Sequence, residues 1–146
     1  MIDEDGFIYD GMGAHEDRQT ANNKIVWSYN SGTFLGGLKE LYTITKDERY
    51  FKIGQKVANK SLEIFVINGE ISENKTLDTD GAQFKGIYVK YLAEFLVEFN
   101  RCADEDQKVW INYAKGIIIQ NAKHIVSSRM TENGLLSSYW GRDEPL

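Results

Sequence analysis

The sequence predicts an all-α protein made of helical hairpins, arranged as part of an (α/α)6 toroid. Three observations predict it. Four segments carry apolar residues at helical spacing. Short turns join the helices within each pair, whereas long polar segments separate and flank the pairs. The third segment is apolar around most of its circumference, as a central rather than a peripheral helix is.

Residues 1–30 are acidic, glycine-punctuated and without a sustained period, so an irregular leading segment is expected. Gly6 to Asp10 suits a short extended piece, and Asp10-Gly11 suits a tight turn. The first helix is expected from Ser31 to Thr45, capped by Asn30 or Ser31, with Phe34, Leu38, Leu41 and Tyr42 on one face. Gly36 and Gly37 fall mid-helix, where each costs about 1 kcal/mol against alanine. Such a pair implies a neighbouring helix or a ligand close to the backbone.

Thr45-Lys-Asp-Glu48 has the capping-box pattern, so a second helix is expected from there to about Ile67. Tyr50, Ile53, Val57, Ala58, Leu62 and Phe65 form its apolar stripe. Asn68 to Ala82 reads as a long loop, with Asn68-Gly69 as a turn. The third helix is expected from Gln83 to Asn100, with Asp80 as a weaker cap. The fourth opens at Asp104 to Gln107 and runs to about Ser127. A polar tail, Ser127 to Leu146, follows.

The hairpins therefore begin near Asn30 and near Gln83. This layout places the three long segments (1–30, 68–82 and 127–146) at one end of the helices and makes the first and third helices inner. Two hairpins are a third of a six-hairpin ring. Residues 1–146 then read as a single domain forming the C-terminal part of such a barrel.

Composition narrows the function. The chain has 146 residues and a net charge of −5. An acidic balance argues against nucleic acid, which needs a basic face. No apolar run approaches the ~18 residues of a membrane span. The acidic Met1-Ile-Asp-Glu-Asp-Gly6 lacks the apolar core of a signal peptide, and the compartment stays open. The single cysteine, Cys102, excludes an internal disulfide and reads as a partly buried structural thiol. Two histidines, His15 and His124, make no zinc site by themselves, and both read as solvated. No metal and no organic cofactor is implied. Aromatic residues reach 12%, an excess that suits sugar-binding clefts as well as cores.

Two motifs carry a family resemblance. Trp27-Ser-Tyr-Asn-Ser-Gly-Thr-Phe-Leu-Gly36 leads into Leu41-Tyr-Thr-Ile-Thr-Lys-Asp-Glu-Arg-Tyr50, and Phe84-Lys-Gly-Ile-Tyr-Val-Lys-Tyr-Leu92 follows. Together they resemble the α-1,6-mannan hydrolases of glycoside hydrolase family 76, over roughly residues 5 to 142. There a Tyr-Asn-Gln-Gly segment opens a helix ending Leu-Tyr-x-x-Thr-Gly-Asp, and a Phe-Lys-Gly-Ile-Phe-x-Arg-Tyr-Leu signature comes later. Ser31 stands where the family has Gln, Lys46 where it has Gly, and Lys90 where it has Arg. The resemblance also implies a catalytic pair of adjacent aspartates upstream of the Tyr-Asn motif. No Asp-Asp pair occurs in this chain.

Glycoside hydrolysis uses two carboxylates, about 5–5.5 Å apart for retention or about 6.5–9.5 Å for inversion. With that pair absent, no catalytic residue is expected here. The expected function is that of a fragment of an α-1,6-mannan hydrolase contributing a wall of the substrate cleft. The candidate substrate-binding residues are Trp27, Tyr29, Asn30, Asp78, Asp80 and Lys85. Each has a plainer alternative: core plugs for Trp27 and Tyr29, a helix cap for Asp80 and loop structuring for Asp78. Asp10 reads as a turn residue. Lys85 opens a helix, where a cation opposes the dipole, so a functional or ion-pair role is expected of it. Trp140 reads as a seal on the bundle end. The expected partner is an oligosaccharide or polysaccharide of the α-mannan type. The alternative is a non-catalytic helical module that binds sugar or self-associates through bare hairpin flanks.

Overall fold

The computed structural model describes residues 2–11, 25–73 and 81–128, with Gly134 and Trp140. All four expected helices form: α1 (Ser28–Thr45), α2 (Arg49–Phe65), α3 (Gly81–Phe99) and α4 (Glu105–Ser128). Among the described residues the protein is all-α apart from a two-stranded ribbon, β1 (Val66–Ile67) and β2 (Glu70–Ile71).

Helix α1 begins at Ser28, so neither Asn30 nor Ser31 caps it. Trp27 sits at the cap with extended backbone, φ −126° and ψ 149°. An indole only donates hydrogen bonds and cannot serve the free N–H groups of a first turn. At the other end Lys46 takes a left-handed φ of 57° and returns its N–H to the Tyr42 carbonyl at 2.8 Å. Glycine adopts this conformation without strain, and it is the residue that the resemblance places there.

The capping box expected at Thr45 and Glu48 does not form. Asp47 takes over because its carboxylate reaches the Arg49 N–H at 3.0 Å and also grips the Arg49 guanidinium. A reciprocal box does form at α4. The Gln107 N–H donates to Asp104 at 2.8 Å, and the Asp104 N–H donates to Gln107 at 3.0 Å. Glu105 and Asp106 add negative charge to the same turn.

The ribbon replaces the first part of the expected loop, and α2 stops at Phe65 instead of Ile67. Val66 and Ile67 are β-branched, and Asn68-Gly69 turns with φ of 53° and 86°, the double positive that a two-residue hairpin needs. The Asn121 side chain on α4 holds the ribbon. It accepts from the Ile71 N–H at 2.9 Å and donates to the Gly69 carbonyl at 3.0 Å. Within the leading segment the expected extended piece at Gly6 to Asp10 takes part in two bridges, Ile2 to Ile8 and Tyr9 to Val26.

Helices α1 and α3 lie side by side and parallel. A Cβ on Gly32 would sit 2.6 Å from the Tyr88 Cα, one on Gly36 would sit 2.5 Å from the Tyr91 ring, and Lys39 meets Glu94 at 3.5 Å. The rising pairs fix a common direction. Helix α2 runs the other way along α3: Phe51 packs on Phe95 and Phe99, whereas Ser61 bonds Tyr88 at 2.8 Å. The N-terminal ends of α1 and α3 therefore share one rim with the C-terminal end of α2. Below it lies the core, formed by residues such as Leu35, Val57, Leu92, Phe95, Leu96 and Ile111.

The glycines respond in opposite senses. Gly32→Ala forces the two helix backbones apart and should cost about 1–3 kcal/mol. Gly37 faces open space, so Gly37→Ala should stabilise by up to about 1 kcal/mol. Urea midpoints of the two variants against the parent chain check both signs.

Candidate functional site

The rim gathers aromatic and polar side chains from three elements. Trp27 and Tyr29 both lean on Phe84 in the first turn of α3. The Trp27 and Phe84 ring centres are 5.3 Å apart at 67°, and those of Tyr29 and Phe84 are 4.5 Å apart at 46°. All three rings are half-buried. They pack on one another and remain partly exposed to solvent. Phe84 falls on the apolar face of α3 in the sequence. Its place in the helix's first turn is what puts it at the rim.

Asp10 is more than a turn residue. Its Oδ1 accepts from the Tyr29 hydroxyl at 2.5 Å and from the Asn30 amide at 2.9 Å. The carboxylate beside the phenol raises the Tyr29 pKa above its ordinary value, with burial adding to the effect. Asp10 is anchored in turn by its own N–H, which donates to the Ile25 carbonyl at 2.9 Å. The outcome is an exposed carboxylate, phenol and amide set against aromatic rings.

Beneath this surface lies a buried polar cluster. Ser28 is 0% exposed, Lys85 1% and Glu73 5%. The Glu73 carboxylate accepts from the Ser28 hydroxyl, and from the Ser28 N–H at 3.3 Å. Lys85 places its ammonium 4.8 Å from the Trp140 ring centre. Burial pushes the Lys85 pKa down to about 8, and the negative charges of Glu73 and Glu70 partly oppose that fall. Tyr88, fully buried and bonded to Ser61, has its pKa pushed up by the same loss of water. Trp140 packs partly buried against the core, in keeping with a seal.

Of the sequence-predicted residues, Trp27, Tyr29 and Asn30 stand together on the rim, and Lys85 lies directly under it. Asp78 and Asp80, like His15, fall outside the described residues. Sequence reasoning missed Glu73, which looked like one acid in a polar loop. The signal that pointed toward it was indirect: a lysine at a helix start wants an anion. Two further expectations change. Cys102 is exposed, because it sits in the turn after α3. His124 is half-buried, because it shares its helix with the clamp at Asn121.

A partly enclosed cavity of about 170 Å³ lies at the opposite end, beside Glu48, Phe51 and Cys102. It is smaller than the usual range for ligand sites and shares no residue with the rim. Among the described residues no group of three or more His, Cys, Asp or Glu could hold a metal, and no helix is long and apolar enough to cross a membrane.

Lys85 sets a pH dependence. Its ordinary pKa is 10.5 and its folded value about 8, so between these values the unfolded chain binds more protons. Stability should rise with pH across that window and be flat below it. Lys85→Met should abolish the rise. Urea unfolding of both proteins at pH 7.5 and 9.5 tests it, staying below the region where buried Tyr88 makes stability fall.

Comparison with known proteins gives this geometry its context. The model of "Glycosyl hydrolase family 76" matches residues 1–144. The Lin0763 protein of Listeria innocua superposes with a TM-score of 0.77 at 26% identity, over 96% of this chain and 37% of that one. A second structure is an inactive variant of the α-1,6-mannanase GH76A of Salegentibacter sp. HEL1_6, with two successive aspartates replaced by alanine, in complex with α-1,6-mannotetrose. It gives a TM-score of 0.75 at 26% identity, over 99% of this chain and 41% of that one. The same mannanase without those replacements gives 0.78 at 24% identity, a likeness of fold. No curated protein matches the chain. The chain thus spans about two fifths of the length of the solved structures it resembles. With the family model covering nearly every residue, the chain belongs to glycosyl hydrolase family 76.

Proposed function

We propose that this chain forms one wall of the sugar-binding cleft of an α-1,6-mannan hydrolase whose bond-cleaving aspartates lie outside residues 1–146. The observation that carries the reading is the rim itself. Asp10, Tyr29 and Asn30 form a hydrogen-bonded set beside the rings of Trp27 and Phe84. A sugar offers hydroxyls that both donate and accept, and faces of C–H bonds. The rim offers a carboxylate, a phenol and an amide for the first, and ring surface for the second. A family relative bound to α-1,6-mannotetrose gives the class of sugar.

In this reading Trp27, Tyr29 and Asn30 contact substrate, with Asp10 beside them. Asp78 and Asp80 belong to the same proposed set of substrate contacts. Lys85 serves from beneath through Trp140. The two hairpins form a third of an (α/α)6 ring and are one domain with it. The absence of an Asp-Asp pair from the chain, set against the inactivity of the relative that lacks its two successive aspartates, supports this reading, in which hydrolysis belongs to the remainder of the ring.

A second reading has one observation in its favour. An open apolar groove of about 430 Å³ runs beside α1, lined by Ile8, Phe34, Leu38 and Leu41 among others. Large open apolar surfaces favour association, so a self-associating module without catalysis is the alternative.

The chain 1–146 should bind α-1,6-mannotriose weakly in calorimetry or ligand-observed NMR and should not cleave it. Asp10→Asn should lower the affinity about tenfold, the loss of one charge-assisted hydrogen bond. Cleavage of the sugar at an enzymatic rate would overturn the placing of the aspartates. No binding, together with a concentration-dependent dimer in light scattering, would favour the module.

A further inference from the structure

Helix α1 carries the Trp27, Tyr29 and Asn30 wall on its first turn, yet that turn has no acid of its own and an indole at its cap. The missing acceptor comes from elsewhere in the chain. Glu73, 45 residues away, accepts from both the Ser28 N–H and the Ser28 hydroxyl. A carboxylate at a helix N-terminus satisfies free N–H groups and complements the dipole. Placed in the interior at 5% exposure, such a charge needs a counter-charge. Lys85, on the first turn of α3, lies close enough to feel it.

Glu73 is itself held rigidly. It follows the ribbon, whose Ile71 N–H is fixed by Asn121, and the neighbouring Ser72 N–H donates to the Phe65 carbonyl at 2.8 Å. One carboxylate therefore sits between the starts of both parallel helices, on a support made by α2, the ribbon and α4. A surface acid would not need that support, and a plain core position would not need the charge.

We infer that Glu73 is a positioning residue for the rim, holding the first turn of α1 in register with the first turn of α3 and so setting where Trp27, Tyr29 and Asn30 stand. It touches no substrate. The effect on sugar binding rests on the proposed function above; the effect on the first turn of α1 does not.

The test uses the chain 1–146, α-1,6-mannotriose and amide hydrogen exchange. In Glu73→Gln, exchange at Ser28 to Asn30 should accelerate at least about tenfold beyond any change in global opening, and affinity for mannotriose should fall about tenfold. The variant leaves Lys85 buried against a neutral amide, so its urea midpoint should fall as well. Glu73→Gln combined with Lys85→Met removes that buried charge as well. It should recover the midpoint but not the exchange protection at Ser28 to Asn30, and it carries that measurement if the single variant does not fold. Recovery of the exchange protection together with stability in the double variant would reduce Glu73 to a structural role and overturn the inference, as would unchanged protection at Ser28 to Asn30 in the single variant. If the parent chain binds no mannotriose, the sugar-wall reading fails, and the exchange data alone decide the role of Glu73.

Discussion

Helices α1 and α3 touch at the level of their backbones. At Gly32 the space where a side chain would stand is filled by the Cα of Tyr88, and one turn on, at Gly36, by the ring of Tyr91. This approach fixes the spacing, the parallel direction and the register of the two helices together. The rest follows from it. With the two N-termini level, Phe84 arrives opposite Trp27 and Tyr29, and Lys85 arrives near the Glu73 that serves Ser28. A larger residue at Gly32 would separate the helix starts and with them every side chain on the rim.

The same closeness explains the buried polar cluster. Two helix starts drawn together leave several N–H groups in a space from which water is excluded, and such groups cannot go unserved. A carboxylate answers that need but brings a charge into a poor medium for charge. The lysine then offsets the carboxylate, at the cost of losing most of its own water, as its lowered pKa records. Packing, hydrogen bonding and electrostatics on this rim are thus consequences of one geometric constraint.

Much of the architecture was legible in the sequence. The helical stripes and the short and long connections marked the four helices, and the Gly36-Gly37 pair signalled a close neighbour. The rim was legible in part. Trp27, Tyr29 and Asn30 stood out as an aromatic and polar run before a helix, and Lys85 stood out as a charge of the wrong sign for its place. What escaped was long-range. Glu73 joins Ser28 across 45 residues, and no local pattern encodes such a bond. Asp10 looked like a turn because its partners, Tyr29 and Asn30, reach it only once the leading segment has paired with Val26. The capping box at Thr45 and Glu48 failed for a local reason: α1 runs through Thr45, whose hydroxyl turns back to the Leu41 carbonyl. Gly32 hid beside the more obvious pair, although it makes the tighter backbone contact.

The clamp at Asn121 has a consequence of its own. A short ribbon exposes a row of peptide groups along its outer edge, and such an edge invites another strand to add on. Asn121 answers that edge with an amide, the same chemistry as a peptide group, presented from a helix. Its carbonyl takes the Ile71 N–H and its amino group takes the Gly69 carbonyl, so the helix acts as a false third strand one residue long. Edge-to-edge addition is blocked on that side without a proline or a lysine. Very few side chains can do this. Aspartate lacks the donor, leucine of similar size lacks both groups, and glutamine reaches too far, so this match to the ribbon edge depends on one amide at one position of α4.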